Sequence, residues 1–70
     1  MILTSAPIGK DFQIAKISGR DEVRSHLASL GFVEGANVSV VNELNGNVII
    51  HVKNTRIALD RSLSNRIHVK

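Results

Sequence analysis

Short runs of alternating apolar and polar residues, broken by Gly and Asn, predict a mainly β domain: a small barrel of about five strands with one α-helix after the first strand. Three observations carry this. Only Val23, Leu27 and Leu30 repeat with helical spacing. The later apolar residues are mostly Val, Ile and Leu at alternate positions, separated by turn-forming residues. The chain has 70 residues, 43% of them hydrophobic, and no Cys. It forms one domain over residues 1–70 with a thin core and no disulfide brace. Short strands bury an apolar face by curling, and the helix can close one opening.

After Pro7 and Gly9, which punctuate an extended lead-in, Phe12, Ile14 and Ile17 mark a first strand over Asp11 to Ile17. Ala15 and Lys16 break its alternation, as a bulge would. Ser18 stands three residues before Asp21, a weak relative of the capping box, and Asp21 and Glu22 suit the first turn of a helix. That helix is expected over residues 21–30, with Gly31 in the left-handed position that ends it. A turn through Glu34 and Gly35 follows, and the rest reads as strands.

Val38, Val40 and Leu44 precede Asn45-Gly46-Asn47, and Val48, Ile50 and Val52 follow it, the pattern of a hairpin. A two-residue loop would pair Leu44 with Asn47 and set Val40 beside His51. A three-residue loop pairs Leu44 with Val48 and Val40 with Val52, gathering all six apolar residues on one face, and is the register expected. Val41, Ile49 and His51 then share the opposite face with Glu43 and Lys53. Lys53-Asn54-Thr55 makes a second turn, Ile57 and Leu59 a further strand, Arg61 to Asn65 a short helical turn, and Ile67 and Val69 the last strand.

Composition excludes several functions. Without Cys there is no thiolate metal site and no thiol nucleophile. No Gly-x-Ser-x-Gly elbow and no phosphate-cradling glycine loop occurs, so the chain reads as a non-enzyme with no required cofactor. No basic stretch followed by an apolar run opens the sequence, and no segment approaches roughly 18 consecutive apolar residues, so a cytoplasmic location is expected. The net charge of +3 comes from nine basic residues scattered along the chain.

The best metal-like spacing is Glu22 with His26, on one side of the expected helix. It reads either as a weak divalent metal site or as an ordinary surface pair. A third ligand would have to come from another chain or from His51 or His68, both expected to be exposed. For protein docking, Phe32, Val41 and Ile49 supply apolar anchors and Arg24, His51 and Lys53 a polar rim, with Phe32 reading mostly as core and offering only an edge at its turn. The alternative is that the helix or the termini cover Val41 and Ile49. A basic nucleic-acid-binding barrel is the runner-up. It lacks stacking platforms, since Phe12 and Phe32 are the only aromatic residues, and nucleic acid is not the expected partner. Self-association through the same surface or an open strand edge is a further reading.

The order Gly9, Phe12, Ile14, Ile17, then Leu27-Ala28-Ser29-Leu30-Gly31-Phe32-Val33-Glu34-Gly35, then Val38-Ser39-Val40-Val41, Arg56-Ile57-Ala58-Leu59 and Ile67-His68-Val69 resembles the FeoA family of ferrous iron transport proteins. The resemblance covers nearly the whole chain. It implies an SH3-like β-barrel in the cytoplasm whose partner is the cytosolic G-protein domain of the FeoB-type membrane transporter. A related domain ends metal-dependent transcription repressors. No helix-turn-helix accompanies this one, which favours the transport accessory.

Overall fold

The computed structural model describes residues 1–70. Five strands, β1 (Asp11–Ile17), β2 (Asn37–Leu44), β3 (Asn47–Val52), β4 (Thr55–Asp60) and β5 (Ile67–Val69), form one antiparallel sheet in the order β4-β3-β2-β1-β5. Helix α1 (Asp21–Ser29) follows β1, and a single turn of helix, α2 (Arg61–Ser64), links β4 to β5. The expected SH3-like order of elements is thus present. The sheet curls without closing, since β4 and β5 each end the order of strands.

Strand β1 lies between β2 and β5 and pairs with both. Its register with β5 shifts between Ile14 and Lys16, which places the expected bulge at Ala15. Helix α1 starts after Arg20, whose side chain makes no capping hydrogen bond, so the weak capping box at Ser18 is not used. Its end is sharper. Gly31 has φ +105°, its N–H donates to the Ala28 carbonyl at 3.0 Å, and the Phe32 N–H donates to the Leu27 carbonyl at 3.0 Å. These are the two bonds of a Schellman motif, and they return the chain beneath the helix. Leu27 and Phe32 are both fully buried there.

The β2–β3 hairpin differs from the three-residue loop expected. Leu44 pairs with Asn47 across a two-residue turn in which Asn45 and Gly46 have φ of 53° and 80°, the signature of type I′. The parity that this turn would spoil is restored by a one-residue bulge at Val41, between Val40 and Asn42. Val40 therefore faces Ile50 rather than His51 or Val52. Val38, Val40, Val48, Ile50 and Val52 reach the core as expected, but Leu44 lies beyond the bulge and is exposed. A second turn with positive φ at Lys53 and Asn54 joins Val52 to Thr55.

Thirteen buried apolar residues form one core, to which α1 contributes Leu27 while Val23 and Leu30 pack against it. Leu3 is also fully buried, on a short 3-10 turn over Leu3–Ser5. This turn and its buried leucine replace the extended lead-in expected before Pro7 and Gly9. Just before it, Ile2 bridges His68, and the Val69 N–H donates to the Met1 carbonyl at 2.7 Å. Asp60 caps α2 by accepting from the Leu63 N–H and the Ser62 hydroxyl, both at 2.9 Å. The Leu63 bond, then the Ser62 bond, hold its carboxyl below the usual carboxylate range.

Candidate functional site

The register sets a cross-strand row on the outer face of the sheet. Asp11 pairs with Ser39, Ser39 with His51, and His51 with Arg56, so the four side chains cross β1 to β4 in sequence. Asp11, Ser39 and His51 line an open groove that continues through Asn37 to Lys53 and Asn54. The stem of Lys53 lies over the end of α1, where a Cβ on Gly31 would stand 3.2 Å from its Cδ. Lys53 thus reaches the carbonyl end of the helix, where a cation is favoured.

The next row toward the hairpin tip is apolar. Ile49 pairs with Asn42 and Ala58, and the bulged Val41 lies beside it. Val41 and Ile49 are half-buried and Ala58 is exposed, so neither the helix nor the termini fully cover this face. An apolar centre therefore sits next to a row bearing Asp11, His51 and Arg56, with Lys53 at its end. Such a surface presents apolar anchors and a polar rim.

Of the six residues expected to meet a partner, the structure brings together Val41, Ile49, His51 and Lys53. Phe32 does not join them: its aromatic ring is fully buried because the Schellman motif folds it inward. Arg24 lies apart on exposed α1, ion-paired with Asp21 at 2.7 Å and beside Ser25 and Ala28. Arg56, Ser39 and Asp11 were missed. Their signal was the parity they share with His51, which only the correct strand register makes visible.

Glu22 and His26 are both exposed on α1. No group of three His, Asp or Glu side chains comes together as a metal shell would require. His51 is exposed as expected. His68 is instead half-buried, its Nε2 lying 3.3 Å from the Ser18 hydroxyl. Phe12, half-buried, packs against the core that holds Phe32, so neither ring forms an open stacking platform.

A curled five-stranded antiparallel sheet, one main helix and an open groove define a small SH3-like domain. The model of the FeoA domain matches residues 1–70, and the chain belongs to the FeoA family. Among solved structures it is similar to an iron uptake regulatory protein FeoA, with 29% identity, 99% of this chain and 92% of that chain covered, and a TM-score of 0.90. It is also similar to the zinc-complexed FeoA of Stenotrophomonas maltophilia, with 26% identity, 100% and 89% coverage and a TM-score of 0.86. Zinc-bound ScaR shares the fold, with a TM-score of 0.89, at 17% identity over 100% of this chain and 36% of that one. None of the curated proteins matches the sequence. No helix is long and apolar enough to cross a membrane.

Proposed function

We propose that this chain is a non-enzymatic accessory of ferrous iron transport that docks on the cytosolic G-protein domain of a FeoB-type transporter through the outer face of β2, β3 and β4. Membership of the FeoA family implies a role in ferrous iron transport. The FeoA of Stenotrophomonas maltophilia, 26% identical, is described as a candidate ferrous iron transport activating factor. The observation that carries the docking reading is the half-buried pair Val41 and Ile49 beside His51, Lys53 and Arg56 on one open face. Desolvated apolar residues within a polar surround are where association energy concentrates. Glu22 and His26 form no part of this reading, because two exposed donors fill half of a tetrahedral shell.

The test is titration of the transporter's cytosolic domain with wild-type protein and with Ile49→Asp, alongside the circular dichroism of each. Ile49→Asp should keep its fold and bind at least about tenfold more weakly, since it places a charge at the centre of the contact. Unfolding would show that Ile49 serves the core. Retention of both fold and affinity would show that the partner docks elsewhere.

A further inference from the structure

The outer edge of β4 is bare as far as Asp60, whose carbonyl accepts from the Ser64 hydroxyl at 2.9 Å. Antiparallel strands alternate residues whose backbone groups bond the neighbouring strand with residues whose groups point away. The two-residue turn at Lys53-Asn54 makes Val52 and Thr55 a bonded pair, which sets the phase along the strand. Ile57 and Leu59 then bond to β3, while Arg56, Ala58 and Asp60 direct their N–H groups to the far side. No backbone hydrogen bond outside the β3 ladder reaches Arg56 or Ala58, and all three residues are exposed. Such an edge is a ready template for another strand.

We propose that this edge pairs antiparallel with β4 of a second copy of the chain, with the two-fold axis at Ala58, so that two sheets join into one. In this register Ala58 faces its own counterpart, and Arg56 faces the second copy's Asp60 at both ends. Ile57 faces the second copy's Leu59 on the inner side and extends the apolar face. Charge selects the register. An axis on Arg56 would oppose two arginines, an axis on Asp60 two aspartates, and an axis on Ile57 or Leu59 would set each charge against a neutral residue. Only the Ala58 axis places opposite charges directly across the seam, the arrangement that stabilises cross-strand pairs.

Both charged residues are available for the contact. The two ion pairs within the chain, Arg24 with Asp21 and Arg61 with Glu43, leave Arg56 without an acidic partner. The Asp60 carboxylate accepts two hydrogen bonds through Oδ1, and a carboxylate has capacity for about four. Asp60 is also still extended, with φ −70° and ψ 166°, before α2 turns away. The pairing uses the edge of the sheet and leaves Val41 and Ile49 open, so it stands apart from the transporter reading.

Sedimentation equilibrium from micromolar to millimolar protein should show the mass rising toward twice the monomer value. Ala58→Pro removes an N–H that the β3 ladder does not use, a change that edge strands accept, and should leave a folded monomer. Arg56→Asp sets like charges across the seam and should also give a monomer. Ala58→Cys should cross-link under mild oxidation, because bonded antiparallel pairs hold their Cα atoms about 5.5 Å apart, within disulfide reach. The chain has no other Cys, and Ala28→Cys on exposed α1 should cross-link far less. If Ala58→Pro unfolds, Arg56→Asp and the cross-link decide. Monomeric mass throughout, a dimer indifferent to both substitutions, equal cross-linking at Ala28, or an edge that binds only an acidic extended peptide would overturn the proposal.

Discussion

Along β5 the chain lies against its own strand, with Ile2 bridged to His68 and Met1 accepting from Val69, whereas along β4 no segment pairs with Arg56 or Ala58. The covered edge is anchored from inside, because Leu3 follows the strap directly and is fully buried. The bare edge carries one positive and one negative residue flanking an alanine. Exposed strand edges invite unwanted pairing, and this chain treats its two differently. One edge is satisfied internally at the cost of ordering a few residues. The other stays unpaired and carries charges that restrict which strand can add to it.

The sharpest break in this comparison should come from Leu3→Ala. Removing a fully buried leucine side chain costs about 2–5 kcal/mol, so thermal unfolding should show a drop in Tm of about 10 °C or more. The Val69 amide should exchange faster as Met1 and Ile2 come loose. Ala58→Pro, on the opposite edge, should shift the Tm of the isolated monomer by much less. Equal destabilisation at the two positions would mean that β4 is more deeply held than its pairing indicates.

The smallest effect concerns the end of β4. The folded pKa of Asp60 lies below its unfolded value, so the capping contribution is present above the unfolded pKa and is lost as pH falls through the folded one. Acidification should therefore lower the protection of the Leu63 amide, measured against its intrinsic exchange rate at each pH, while the Gly31 end of α1, which relies on backbone bonds alone, responds less. Asp60→Asn, which keeps a cap but loses the ionisation, should flatten that pH response.

Much of the element order was legible because it rests on local signals: the Val23, Leu27 and Leu30 stripe, the glycine after the helix, and the broken alternation at Ala15. Long-range consequences were harder. Asn45-Gly46 announced a tight turn, yet the apolar pattern favoured a longer loop, because no residue type marks the compensating bulge at Val41. Phe32 read mostly as core, with an edge open to a partner because it follows a helix end, whereas the backbone motif that reverses the chain buries it completely. The strap at Met1 and Ile2 stayed invisible because one bridge to a strand some sixty-six positions later leaves no periodicity. On the outer face of the sheet, Val41, Ile49, His51 and Lys53 followed from alternation, while Asp11, Ser39 and Arg56 required the actual register.

The bulge at Val41 also makes β2 unusually forgiving of a change in length. Deleting a residue from an ordinary strand position reverses every side chain beyond it. Deleting Val41 would join Val40 to Asn42, and the partners they now have, Ile50 and Ile49, are already consecutive on β3. A chain one residue shorter at this point would keep each remaining pair and lose only local twist and one apolar group from the outer face. Position 41 is therefore where natural relatives of this domain should drift in size without changing architecture.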